Sequence, residues 1–266
     1  MIPRRPSVPA GLDRSGGYYR AALMGLCDLH SHVLFGIDDG APDLGTSLAM
    51  LRGLVALGYD RVTATPHQKA AQYLPTARQI ADTHAEVTAA LAAAGIAVEL
   101  GLAAENYWDD VFHARLAESG APELPRYDGG RAFLFEIPNA ELPTRFEESL
   151  FRIATRGLLP VLAHPERYRP FWDDFDRAAR LAQSIPMVID LAALAGHHGT
   201  KPAKLARRLV EERIAHAAAS DVHREDDVRL AAEGLAWMKK RVGADEVRRL
   251  CDENPRQILA GHLPEN

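Results

Sequence analysis

Histidines and carboxylates recur in this sequence at spacings that suit metal ions. His30-Ser31-His32 sets two imidazoles at i and i+2, which in extended backbone point to one side and can grip a single ion. An isolated pair of this kind fits a solvated or core position equally well. Asp221-Val222-His223 repeats the spacing near the far end of the chain, and the repetition favours ligation. Between the pairs stand Asp38-Asp39-Gly40, His67 after Thr65-Pro66, Glu105, Glu136 and His164. Asp-Asp-Gly is by itself a turn signal, yet a carboxylate so soon after His32 could also reach an ion. Arg167, three residues after His164, offers a planar fork that matches phosphoryl oxygens; pairing with a carboxylate is the plain alternative. Arg224 and Arg229 follow the last ligand pair as further anion-binding candidates. Asp190 and the Gly-flanked His197-His198 read as scaffold and loop.

These residues need a frame that brings them together. Apolar runs of strand length recur at 25–29, 61–64, 97–103, 132–135, 159–163, 187–191 and 214–219. Segments with helical spacing separate or follow them at 47–57, 75–93, 145–155, 172–183, 201–212, 226–241 and 245–259. Strand and helix in alternation predict parallel βαβ units. Gly58 and Gly95 follow two of the helices as stop signals. The candidate ligands fall just past the ends of these strands, the edge where α/β folds build their sites.

Of the 266 residues, 47% are hydrophobic and 25% charged, an ordinary globular mixture, and the formal net charge of −5 disfavours nucleic acid as a partner. Cys27 and Cys251 are the two cysteines, too few for a disulfide framework, which suits a reducing, cytoplasmic setting. Neither can head a thiol-phosphatase loop, because the sixth residue after each is Val33 or Gln257 and not arginine. No run is apolar and long enough for a signal peptide or a membrane segment. Residues 1–23 read as a disordered tail, and 24–266 as one domain.

Taken in order, Asp28-Leu29-His30-Ser31-His32, Asp38-Asp39-Gly40, Thr65-Pro66-His67, Ala163-His164-Pro165-Glu166-Arg167-Tyr168, Ser220-Asp221-Val222-His223 and Glu253-Asn254-Pro255-Arg256 resemble one family over residues 26–261. It is the metal-dependent bacterial tyrosine-protein phosphatases of the polymerase-and-histidinol-phosphatase superfamily, associated with capsule and exopolysaccharide regulation. The resemblance implies an α/β fold, a distorted barrel of seven βα units, holding two or three divalent ions, manganese by preference, with iron, zinc or magnesium as alternatives. It assigns His30, His32, Glu105 and Asp221 to one ion, Glu105, Glu136 and His164 to a second, and Asp39, His67 and His223 to a third. Arg167 would bind the phosphate, and a second arginine would correspond to Arg229 or Arg224. The implied substrate is phosphotyrosine on a protein, the tail of a polysaccharide-associated tyrosine kinase. The family's usual Asn is missing from Ile189-Asp190-Leu191, and so is a Pro-rich stretch after the second arginine. A histidinol-phosphate phosphatase, another small-molecule phosphatase, or a metal-stabilised regulatory protein without turnover are the rival readings.

Overall fold

The computed structural model describes residues 25–118 and 120–265, so the expected tail lies outside the described residues. The strands are β1 (Leu26–Ser31), β2 (Tyr59–Ala64), β3 (His67–Gln68), β4 (Glu99–Leu102), β5 (Glu105–Tyr107), β6 (Ala132–Glu136), β7 (Leu159–Ala163), β8 (Met187–Asp190) and β9 (Ala217–Ala219). They form two sheets, β1-β2-β4 and β3-β5-β6-β7-β8-β9, in which every neighbouring pair is parallel. The helices are α1 (Leu44–Ala56), α2 (Ala77–Ala93), α3 (Asp110–Ala117), α4 (Phe146–Thr155), α5 (Arg169–Asp173), α6 (Phe175–Ala182), α7 (Leu191–Ala195), α8 (Thr200–Glu211), α9 (Asp227–Arg241), α10 (Ala244–Arg248) and α11 (Asn254–Leu259).

The alternation within the strands sets the layers. Leu134, Val161 and Val188 meet Leu29 and Ala217 in one cluster, whereas their neighbours Phe133, Phe135, Leu162 and Ile189 join another with Leu150, Leu181 and Leu209 from α4, α6 and α8. That is the two-residue period of a strand buried on both faces.

Two short strands that were not expected, β3 and β5, follow expected ones after a break. Pro66 has no N–H to give a ladder, and the chain between β2 and β3 is Thr65-Pro66. Ala103-Ala104 separate β4 from β5, so Glu105 lies within a strand and not just beyond one. Hydrogen bonds carry the alignment across both gaps, from Ala103 N–H to the Ala64 carbonyl (2.9 Å) and from Glu105 N–H to the Pro66 carbonyl (3.1 Å). The last strand is shorter than expected, starting at Ala217.

Local signals explain the helix limits. Asp43 caps α1 by accepting the Thr46 N–H, and Gly58 leaves that helix at φ +103, a conformation costly for other residues. Thr76 and Gln79 form a reciprocal capping box at α2. The helix expected over 172–183 is divided into α5 and α6, because Asp174 turns its side chain to cap α6 at the Arg177 N–H. The one expected over 245–259 is divided into α10 and α11 by a wide turn at Arg249–Glu253 that ends just before Pro255. Helices α3 and α7 were not expected; α7 starts on an Asp190 cap and ends at Gly196.

Candidate active site

The C-terminal ends of the strands carry a dense cluster of imidazoles and carboxylates. His30 and His32 leave β1 with their Nε2 atoms 3.1 Å apart. Glu105 Oε2 lies 3.4 Å from the first and 3.6 Å from the second, and Asp221 Oδ1 lies 3.3 and 3.5 Å away. Four ligand atoms placed tetrahedrally at about 2.1 Å from a common centre are separated by about 3.4 Å, so these N and O atoms match the cradle of one cation. Asp221 Oδ1 is buried and has no hydrogen-bond partner, as expected of an atom meant for an ion.

The backbone is bent to make this cluster. His164 and Asp221 both have left-handed φ, 33° and 47°, a cost that non-glycine residues bear mostly at functional positions. Asp28, buried in β1, accepts from the backbone N–H and hydroxyl of Ser220 and so fixes the start of the turn that presents Asp221. Gly40 packs so closely on His32 that a Cβ would lie 2.2 Å from the His32 carbonyl oxygen. That approach lets Asp38 accept from His32 Nδ1 at 2.8 Å and from the backbone N–H groups of Gly40 and His67. Asp38 therefore orients His32 and leaves its Nε2 to face the cradle. Asp39 instead reaches outward, 3.4 Å from His67 Nε2 and 3.8 Å from His223 Nε2. His223 donates its Nδ1 proton to the Asp221 carbonyl (2.9 Å), again leaving Nε2 for a ligand.

All nine expected ligands lie in this cluster, but their grouping differs in part from the expectation. His32, Asp39, His67 and His223 form one set, with the first joining the expected three. Glu136 groups with Glu105 and His67, not with His164, while His164 groups with His30 and Asp221. His164 Nε2 is bonded to Glu105 Oε1 at 2.7 Å. His67 Nδ1 stands 2.8 Å from Glu105 Oε2 and 3.7 Å from Glu136 Oε1 without hydrogen-bond alignment to either.

The electrostatics is that of a site designed to take positive charge. Burial pushes Glu105 up, but His30 and His67 and the His164 hydrogen bond hold it well below the usual carboxylate range. Asp221 stays equally low because His30 and Arg167 outweigh its burial. His32 and His67 are raised, to about 9 and about 11, despite burial, by Asp221 and Asp38 for the first and by Glu105 and Asp39 for the second. Burial and then Arg167 lower His164 to about 4, and burial and then His32 lower His223, so both keep free lone pairs at neutral pH. Glu136 is pushed up to about 7 by burial and the charge of Glu105, and its Oε1 has no hydrogen-bond partner. The protons held by this network are what cations would displace.

Arg167 borders the cluster and is partly exposed, with its guanidinium held by carboxylates. Its Nη2 binds Asp190 Oδ2 at 2.7 Å and Asp221 Oδ2, and lies 3.2 Å from His198 Nε2. Asp221 thus turns one oxygen to the imidazoles and the other to the arginine. Arg167, Arg224, His197, His198, Asp39 and His223 line a cleft of about 340 Å³. Arg229 does not belong to it; on α9 it pairs with Glu233 one turn on and is largely exposed. Asp190 and His198, read as scaffold and loop, are that and also contact Arg167. Asp190 holds Arg167, caps α7 through the Ala192 N–H and binds His198 at 2.5 Å. Asp190 shared the strand-end signal of the ligands; His198 had no signal, because the turn at Gly196 that brings it back is a tertiary fact. Lys69 was also missed, with its Nζ 3.9 Å from Glu136 Oε1 and 4.2 Å from the Tyr107 ring centre.

The chain resembles known proteins over the same span. It is 25% identical to the tyrosine-protein phosphatase YwqE of Bacillus subtilis over 235 residues, 88% of this chain and 91% of that one. It is 25% identical to the tyrosine-protein phosphatase CpsB of Streptococcus pneumoniae over 252 residues, 90% of this chain and all of the relative. Among solved structures, a chain from work on YwqE and CpsB, described there as unique metal-dependent tyrosine phosphatases, superposes with a TM-score of 0.80 at 26% identity, covering 89% of this chain and 95% of that one. The family described as capsular polysaccharide synthesis, CpsB/CapC, matches residues 26–260, and this chain belongs to it.

Proposed function

We propose that this chain is a metal-dependent phosphatase that removes phosphate from protein phosphotyrosine in the control of capsular or exopolysaccharide synthesis. The observation that carries this reading is the shared use of Asp221, one oxygen in the four-atom cradle and the other on Arg167. A cation held by that cradle would stand beside Arg167 at the cleft, and the two positive charges together would suit a phosphoryl dianion. The names of YwqE and CpsB agree with it. The two sheets are arcs of one distorted seven-unit barrel in a single domain over residues 24–266. This is supported by the hydrogen bonds across the β2–β3 and β4–β5 gaps and by the parallel bridge of Ser31 to Val222, which joins β1 to the turn after β9.

His30, His32, Glu105 and Asp221 would hold one divalent ion, and Asp39, His67 and His223, with Glu136 and His164 alongside, one or two more. Imidazole and carboxylate without thiolate are compatible with manganese, the ion the resemblance implies, and equally with iron or zinc. Such ions supply an activated water near neutral pH and neutralise phosphoryl charge. The protein's own residues do the rest. Asp190 and Asp221 preorganise the Arg167 guanidinium, which transfers to the phosphoryl oxygens as substrate enters. Arg224 and His198 line the same cleft and complete the anion-binding wall. A phenolate leaving group, with a free pKa near 10, needs less proton donation than an alkoxide.

The natural substrate in this reading is the tail of a polysaccharide-associated tyrosine kinase. Both cysteines are buried and free, which supports a reducing, cytoplasmic location, and no helix among the described residues is long and apolar enough to cross a membrane. The test is a comparison of kcat/KM for a phosphotyrosine peptide and for histidinol phosphate. The peptide should win by at least about tenfold; preference for histidinol phosphate overturns the protein-substrate reading.

A further inference from the structure

Helix α8 carries Lys201, Lys204, Arg207 and Arg208 against the single carboxylate Glu211, in a chain whose formal net charge is −5. Lys204 and Arg208 form the ridge between two surface grooves of about 300 and 650 Å³. The opposite wall of the first is aromatic, from Phe171, Trp172 and Phe175, with Asp173 as its one carboxylate against Lys201, Lys204 and Arg208. Arg208 lies over the Phe175 ring at 3.4 Å and Lys201 over Trp172 at 5.2 Å. Arg208 also pairs with Glu212, but neither Lys201 nor Lys204 has a carboxylate partner among the described residues. Both are exposed, and resting one on an aromatic face leaves its charge available to an anion.

The segments that line these grooves adjoin those that line the active-site cleft. Trp172 Nε1 donates to the carbonyl of Glu166 at 2.7 Å, so the aromatic wall is tied to the turn that carries Arg167. Gly196 and Gly199 line the second groove and bracket His197-His198, which line the catalytic cleft. A polypeptide with its phosphotyrosine at Arg167 therefore has a cationic, aromatic track beside it, which an extended chain follows at about 3.3 Å per residue.

We propose that the α5–α8 groove docks the acidic stretch of polypeptide that flanks the phosphotyrosine, through Lys201 and Lys204. This deepens the phosphatase reading and rests on it. Complementary charge at the rim of a site sets selection and encounter more than chemistry, so the groove should act on KM for long substrates and leave turnover unchanged.

The experiment uses full-length protein and three probes: p-nitrophenyl phosphate, a phosphotyrosine peptide flanked by glutamates, and the same peptide with glutamines. The Lys201→Glu/Lys204→Glu double variant should raise KM for the glutamate peptide about tenfold. Its kcat, and both constants for p-nitrophenyl phosphate, should match wild type, and the glutamine peptide should be nearly indifferent. An unchanged KM for the glutamate peptide overturns the proposal, as does an equal loss on p-nitrophenyl phosphate. If wild type hydrolyses none of the three, the phosphatase reading falls separately. Docking is then read from binding of the unphosphorylated glutamate peptide: loss of that binding in the double variant supports the groove, and equal or no binding overturns it.

Discussion

At the N-terminal edge of the strands, Asn254 donates to the His216 carbonyl at 2.9 Å, His216 Nδ1 accepts the Met187 N–H at 3.2 Å, and Arg249 is held by Glu246 and the Ala215 carbonyl. Arg256 ties Asp60, Asp252 and the Gly25 carbonyl together. Each of these side chains is held by a protein partner, with the Arg249 Nη1 atom alone among them buried without one. At the C-terminal edge the same strands release His30, His32, Glu105, His164 and Asp221, packed against one another with more donor atoms than the protein can satisfy. His67 Nδ1, Glu136 Oε1, Arg167 Nε and Asp221 Oδ1 are buried there without hydrogen-bond partners. Unpartnered polar atoms occur elsewhere in the fold too, but here they converge on the imidazole and carboxylate groups that could hold a cation. The contrast separates structural from functional polarity within one set of strands.

The sharpest way to break the contrast is Glu105→Gln. Glu105 contacts or approaches His30, His32, His67 and His164, so removing its charge disrupts every grouping at once. Turnover of an aryl phosphate should fall about a thousandfold, with lost metal content by elemental analysis. Wild-type stoichiometry and rate would remove Glu105 from the centre of the site. His67→Ala should cost less.

Arg167→Ala comes next, with kcat lower by about a hundredfold and metal content largely retained, since Asp221 Oδ1 still faces the imidazoles. Arg167→Lys should recover only part of the loss, because a point charge lacks the fork. Arg224→Ala should show a smaller defect and Arg229→Ala none, as only Arg224 lines the cleft. A larger loss for Arg229→Ala than for Arg224→Ala would reverse that assignment.

The smallest effect is at the opposite edge and concerns stability alone. Burial, and then Arg249, lower His216 to about 4 from an ordinary value of 6.5. The unfolded chain therefore takes up a proton that the folded one refuses, and stability falls as pH drops from about 6.5 toward 4. The loss should be on the order of 2 kcal/mol, measured by denaturant unfolding across that range. His216→Gln should flatten this part of the pH dependence with kcat unchanged at neutral pH, and an unaltered slope would show that other groups set it.

Much of the site was legible because strand ends can be located from apolar runs, and His, Asp and Glu at those ends stand out whatever the register. Choosing between Asp38 and Asp39 was not a matter of local chemistry. They are adjacent, and the fold turns Asp38 onto His32 and Asp39 toward His67 and His223, in agreement with the assignment of Asp39 that the family resemblance implied. The pairing of Arg167 with Asp190 spans 23 residues and two elements, and no periodicity encodes it. The parallel α/β alternation was equally clear, as was the end of β2 before Pro66, whereas the break at Asp174 was not, since it reflects competition between a local cap and helical continuation.

The most direct test of the account is metal dependence. Protein stripped with a chelator, verified by elemental analysis, should lose hydrolysis of both p-nitrophenyl phosphate and a phosphotyrosine peptide, and added manganese should restore it. Full activity in metal-free protein would contradict the reading of the C-terminal edge as a cation site.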